Sequence, residues 1–288
     1  MLTGLDHIVI LCPSIEEGEA AYVAILGREP DWRSNDPAGA ASVIFQLENM
    51  ALEIMAPSGG GPLARRLHIL MEQDGPGLQS LVFQTQNIDN TRRLLERRSL
   101  RPHELQAGES VDLGAPRERR WSRFRIDDAQ TFGVRMFVLQ RAEPDPLKTP
   151  VRAPFPGAMT ALDHVVVNTP NPDRALALYG ARLGMHLALD RSNVDWDARL
   201  MFFRTGGVTV EIAHKLSKGV GAQPDRLWGL SWRTPDIAAA HDAIARKGLS
   251  VSEIRPGRRA GTQVFTVRDG TINVPTLILS EDRATPPA

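Results

Sequence analysis

The sequence predicts an α+β protein made of four βαβββ modules. Three observations carry that expectation: a stretch of the first half returns in the second, each half runs strand, helix, strands twice, and a proline-rich segment separates the halves. "GLDHIVILCPSIEEGEAAYVAILG", from Gly4, aligns without a gap on "ALDHVVVNTPNPDRALALYGARLG", from Ala161. Leu5, Asp6, His7, Val9, Pro13, Tyr22, Leu26 and Gly27 all meet identical residues. Further on, "RSN" at Arg33–Asn35 matches "RSN" at Arg191–Asn193, and Glu53 of "MALEIMAP" matches Glu211 of "VTVEIAHK". Self-similarity this long marks a duplication, and its domain-sized period is too long for a solenoid.

Each element follows from a local signal. "LDHIVIL" is rich in β-branched residues and reads as a strand. "SIEEGEAAYVAILG" reads as a helix, with Ser14 as N-cap, apolar residues at helical spacing and Gly27 as its stop. "ASVIFQL" and "ALEIMA" read as strands, with another near Trp32. The loop "PSGGGP" leads into the amphipathic "LARRLHILME". The order then restarts: strand "LQSLVFQT", helix "IDNTRRLLERRS", and strands around "HELQ", "RWSRFRI" and "VRMFVLQ". In the second half "LWGLSWRT", "DIAAAHDAIARKG", "TQVFTV" and "NVPTLIL" repeat that order. One helix per four strands implies helices on one face of each sheet and an open face on the other. The expected boundaries are a first domain over 1–141 (modules 4–57 and 77–141), a linker over 142–159, a second domain over 160–281 (modules 160–214 and 225–281) and a tail over 282–288.

Composition narrows the function classes. Of 288 residues, 42% are hydrophobic and 24% charged, ordinary for a globular protein. Lys+Arg and Asp+Glu are 34 each, so no global field draws in nucleic acid or an anionic membrane. The arginine run "APRERRWSRFRI" lacks the interleaved aromatics of a single-strand binder. Cys12 is the lone cysteine, which rules out an intrachain disulfide and a cysteine metal cluster. It ends an apolar strand and is expected to be a small buried hydrophobe. No apolar run reaches the ~20 residues of a membrane span, and "MLTGLDHIVIL" lacks a signal-peptide pattern. A cytoplasmic protein with a small-molecule ligand is the expectation, with neither nucleic acid nor membrane as partner.

Strand parity sorts the polar residues. Side chains alternate across a strand, so His7 lies on the opposite face from Ile8 and Ile10, and Glu53 opposite Leu52 and Ile54. The same holds for Glu211 against Val210 and Ile212. The apolar face should meet the helix and the polar face should stay open. Asn168, Thr209, Ser231 and Arg233 share that open parity in the second half. Gln84, and Arg123 or Arg125, do so in the first, where an arginine could hold a carboxylate or phosphate. Trp228 and Trp232 fall on the helix side and are expected in the core.

The segments "LDHIVI…LG…LEI" and "LDHVVV…YGARLG…VEI", each followed by a second βαβββ unit, resemble the vicinal oxygen chelate superfamily. That group includes glyoxalase I, methylmalonyl-CoA epimerase, extradiol dioxygenases and bleomycin-resistance proteins. The resemblance implies two glyoxalase-like domains in tandem, each of two modules closing around an open sheet face. It also implies a divalent metal held by a His or Gln from a first strand and a Glu from a last strand. His7, Glu53, His164 and Glu211 then fall on ligand positions, and imidazole with carboxylate suits Zn, Ni, Fe, Mn or Co. The facing modules depart from the pattern. Ser80 and Gly229 stand where first-strand ligands are expected, with about Phe137 and about Thr276 in place of the glutamates. His68, His103, His186 and His214 are conceivable recruits, whereas His241 reads as a helix residue.

The resemblance fits an enzyme acting on a small oxygenated organic molecule, a metal-dependent lyase or isomerase ahead of a ring-cleaving dioxygenase. In that reading His164, Glu211, His7 and Glu53 are ligands or, without metal, proton-transfer groups. Two alternatives stay open: a metal-free acid–base enzyme, and a non-catalytic pocket that sequesters a small molecule. Four modules can complete their pockets within one chain, so both a monomer and a homodimer fit.

Overall fold

The computed structural model describes residues 1–147 and 152–281; residues 148–151 of the expected linker and the tail 282–288 lie outside them. The first module is β1 (Leu2–Leu11), α1 (Ile15–Leu26), β2 (Trp32–Asp36), β3 (Ala40–Gln46) and β4 (Ala51–Pro57). Helix α2 (Pro62–Asp74) leads to β5 (Gly77–Thr85), α3 (Ile88–Arg97), β6 (Gln106–Val111), β7 (Glu118–Arg125) and β8 (Arg135–Arg141). The third module is β9 (Ala161–Asn168), α4 (Pro172–Leu176), β10 (His186–Asn193), β11 (Ala198–Thr205) and β12 (Val208–Lys215). The fourth is β13 (Arg226–Arg233), α5 (Ile237–Arg246), β14 (Arg255–Pro256), β15 (Thr262–Val267) and β16 (Thr276–Glu281).

Two eight-stranded sheets result, ordered β2-β3-β4-β1-β5-β8-β7-β6 and β10-β11-β12-β9-β13-β16-β15-β14. The second order repeats the first, as the duplication requires. Within a module the last strand runs parallel to the first, as in β9 with β12, β5 with β8, and β13 with β16. A parallel pair needs a long connection, here supplied by the helix and the two intervening strands.

Helix α1 illustrates the local logic. The Ser14 side chain accepts the Glu17 backbone N–H, and Glu16 and Glu17 sit in the first turn, where negative charge is favourable. Gly27 ends the helix with φ 67° and donates its N–H to the Val23 carbonyl. A Cβ there would also meet the Phe155 ring at 2.8 Å. The third module departs from this plan. Its helix divides into the five-residue α4 and a six-residue π-helical turn, Ala177–Arg182. That widened turn carries consecutive Leu178 and Tyr179, both fully buried. A second difference lies at "HELQ": His103–Leu105 remain exposed outside any strand, and β6 begins only at Gln106.

The chain forms two compact units that interleave in sequence. One comprises Met1–Val9, Leu78–Lys148 and His164–Trp228; the other comprises Ile10–Gly77, Thr149–Asp163 and Gly229–Ala288. In the first, Val165, Val167, Val210, Ile212, Met201 and Phe203 are fully buried, each worth about 1.5–3 kcal/mol against exposure. In the second, the Tyr22 hydroxyl donates to the Thr271 carbonyl at 3.3 Å. There Asn49 donates to the Leu162 carbonyl at 2.7 Å and accepts the Leu162 N–H at 3.1 Å. Trp232 is fully buried as expected, but Trp228 is 51% exposed. Trp228 stands near the beginning of β13, so its parity alone does not secure cover. Among the described residues no helix is long and apolar enough to cross a membrane.

Cys12 is fully buried, and burial pushes its thiol up to about 11. At pH 8 the folded protein should therefore be inert to Ellman's reagent, with the thiol titrating only after denaturation. Rapid reaction of the native protein would contradict the packing of α1 on its strand.

Candidate functional site

The second half brings together the pair expected from parity. In the β9–β12 ladder Thr209 lies opposite His164, and Glu211 lies opposite Val166. The flanking Val165, Val167, Val210 and Ile212 are fully buried, so one parity belongs to the core. His164, Asn168, Thr209 and Glu211 project from the other parity. There the His164 Nε2 lies 3.3 Å from a Glu211 carboxylate oxygen, with the side chains 16% and 13% exposed. Phe202 on β11, opposite Glu211, adds a half-buried aromatic wall. Asn168 is exposed at the end of its strand.

In the first half the histidine contacts the aspartate that precedes it. His7 Nδ1 lies 2.7 Å from Asp6 Oδ1. The Asp6 carboxylate is fully buried and clamped by Arg141, whose Nε and Nη2 donate to its two oxygens at 2.6 and 3.1 Å. Arg141 also lies 3.2 Å from Asp145. Burial alone would raise the Asp6 pKa, but His7 and Arg141 outweigh it and hold the carboxyl well below the usual range. In the second half the matching aspartate, Asp163, faces Arg233 at 3.5 Å. Glu53 lies opposite Ile44 in the β3–β4 ladder, between the fully buried Leu52 and Ile54, and is half-buried. His7 and Glu53 belong to different compact units.

The remaining candidates are distributed as follows. Ser231 is buried on β13, opposite Leu277 of β16. Arg233 donates to the Leu162 carbonyl at 3.3 Å. Gln84 lies opposite Leu139, and its carbonyl accepts the Thr3 hydroxyl at 3.2 Å. Arg125 forms a two-point ion pair with Asp128, Nε to Oδ1 at 2.9 Å. His68 and His103 are exposed. His214 is buried on the core parity, its Nδ1 3.0 Å from the Thr169 carbonyl. His186 shares a row with Arg204, Thr209 and His164, but three strand spacings, roughly 14 Å, separate it from His164. His241 is a helix residue as expected, edge-on to Phe265.

The donor set does not fit a three-ligand metal centre. Among the described residues no group of three or more His, Cys, Asp or Glu side chains could hold a metal. In the second module Ser80 and Phe137 stand on the open parity, Phe137 opposite Val82. In the fourth, the position matching Glu211 is filled by Leu277, opposite Ser231, rather than by Thr276; Thr276 pairs with Leu230 and is buried. The correction is one residue of register, which flips the face. Gly229 has its own cause: a Cβ there would stand 2.7 Å from the Pro275 carbonyl oxygen. Nothing bulkier than glycine fits without a backbone shift.

A family model described as "Glyoxalase-like domain" matches residues 5–161. A second, described as "Glyoxalase/Bleomycin resistance protein/Dioxygenase superfamily", matches residues 163–266. No curated protein sequence matches the chain. Among solved structures, a mutant 4-hydroxymandelate synthase from Streptomyces coelicolor is similar, with 14% identity, a TM-score of 0.70, and coverage of 99% of this chain and 95% of that one. A hypothetical protein from Staphylococcus aureus has 9% identity, a TM-score of 0.63 and coverage of 96% and 98%. A xylose isomerase-like TIM barrel/4-hydroxyphenylpyruvate dioxygenase fusion protein has 10% identity and a TM-score of 0.65, and matches 100% of this chain against 50% of its own. At these identities the likeness is one of fold.

Arg141→Met strands the buried Asp6 carboxylate and should cost about 3–5 kcal/mol in chemical denaturation; a loss below about 1 kcal/mol would mean that the clamp is incidental. Gly229→Ala should cost about 1–3 kcal/mol by crowding Pro275, and a neutral result would remove the steric account of the missing ligand.

Proposed function

The chain belongs to the glyoxalase-like domain family of the vicinal oxygen chelate superfamily, and we propose that it is a lyase or isomerase that moves a proton on a small oxygenated organic molecule. The contact of 3.3 Å between His164 Nε2 and Glu211 carries this reading. A histidine and a carboxylate at that separation can share one proton and pass it to or from a carbon next to a carbonyl. Both side chains are partly exposed on the open parity, so a substrate can reach them.

In the reaction, the pair takes the proton from the carbon, leaving an enediolate or similar anion. The same pair returns the proton to that carbon or its neighbour, or the anion expels a leaving group. The first outcome is isomerisation and the second is elimination. Thr209, beside His164 in the ladder, and the exposed Asn168 are suited to hold the substrate's oxygens. A divalent metal bound by His164 and Glu211 would act as a Lewis acid on those oxygens. The two-ligand donor set favours the metal-free form, because a third protein donor is not assembled among the described residues. The reading is of a cytoplasmic enzyme whose modules pair within one chain, so it can act as a monomer.

Exchange of substrate carbon-bound hydrogen in D2O, followed by NMR over a panel of hydroxy- and oxo-carbonyl compounds, tests the reading. Wild type should exchange or convert at least one compound, and His164→Gln and Glu211→Gln should each slow it about 100-fold or more. Unchanged rates in both variants would sink the proposal. One transition metal per chain in protein purified without chelators, lost in Glu211→Gln, would replace the metal-free form by a metal enzyme.

A further inference from the structure

The open parity of the second module carries a different chemistry. The ladders place Gln84, Leu139, Arg123 and Gln106 in one row across β5, β8, β7 and β6. Val82, Phe137 and Arg125 form the next row. Opposite this face, Leu81, Phe83, Phe124, Met136 and Val138 are fully buried or nearly so. The apolar parity is thus spent on the core; on the other, Leu139 and Val82 are also buried, Arg125 and Phe137 are half-buried, and Arg123 and Gln106 stay exposed. On that surface Arg125 is committed to Asp128, with two short contacts. Arg135, two residues before Phe137, lies 3.9 Å from the same carboxylate.

Arg123 is set apart from these. It is exposed, its guanidinium carbon lies 5.6 Å from the Phe137 ring centroid, and no carboxylate pairs with it among the described residues. The ring draws the guanidinium toward its face through a weak cation–π attraction. The N–H fork stays available to a planar or tetrahedral oxyanion, which it can meet at two points. The half-buried Phe137 beside it offers apolar surface to whatever carries the oxyanion.

We propose that this face is a binding site for a small aromatic oxyanion, an aryl carboxylate or aryl phosphate, held by Arg123 with its ring against Phe137. The site lies in the first half of the chain and does not use the His164–Glu211 pair, so it stands or falls separately from the reading of that pair.

Calorimetric titration of the full chain with benzoate, phenyl phosphate and, as the neutral control, benzyl alcohol tests it. Saturable binding of benzoate or phenyl phosphate is expected, weakened by added chloride and absent for benzyl alcohol. Arg123→Gln should weaken the anion at least about tenfold, Arg123→Lys should weaken it less, and His164→Gln should leave it unchanged. Because Arg123 is exposed, both of its variants should fold, which circular dichroism verifies. Whichever anion binds more tightly identifies carboxylate or phosphate as the natural group. The proposal is overturned if neither anion saturates by about 10 mM, if benzyl alcohol binds as well as they do, or if Arg123→Gln binds like wild type.

Discussion

The polar pair of the second half depends on the two-residue alternation of the parallel strands β9 and β12. Val165, Val167, Val210 and Ile212 take one parity and are fully buried. The same alternation delivers His164 and Glu211 to the other parity, within 3.3 Å of each other. The two requirements are one requirement. A slip of a single residue would send valines outward and drive His164, in β9, or Glu211, in β12, into the core. The hydrophobic core thus fixes the geometry of the polar pair without any contact designed for it. The second module obeys the same rule, with Met136 and Val138 inward and Phe137 outward.

Duplication supplied the same dipeptide twice, and an arginine from a distant strand meets the aspartate in each copy. In the first half Asp6 is fully buried, and Arg141 reaches it from the end of β8. The aspartate then engages the ring of His7. In the second half Asp163 keeps 29% of its side chain exposed and meets Arg233 from β13 at 3.5 Å. A buried carboxylate between an arginine and an imidazole is a structural clamp. The two aspartates therefore differ in burial and in how closely an arginine approaches, because each arginine comes from a distant strand.

The architecture was legible because its signals are local. Ser14, Gly27 and the alternating valines each declare an element without reference to the rest of the chain. The His164–Glu211 pair was legible for the same reason, since parity is counted along a strand. The parts that escaped depend on distant partners or on register. Arg141 clamps Asp6 across 135 positions of sequence, and no spacing announces it. Leu277, rather than Thr276, stands opposite Ser231, a difference decided by strand alignment alone. The π-helical turn at Ala177–Arg182 replaces a regular helix although Tyr179 and Leu183 match Tyr22 and Leu26 of α1. Trp228 is exposed although its parity is that of the core, because parity says which face a side chain takes and not whether that face is covered there.

The glycine at the head of the fourth module has a steric consequence. With the Pro275 carbonyl 2.7 Å from the place of a Cβ, the backbone has closed over the space that a side chain would need. A histidine introduced at Gly229 alone would meet that carbonyl, so it would need a second change that moves the Pro275 backbone. The main chain itself, rather than any side chain, thus closes this position to side-chain chemistry.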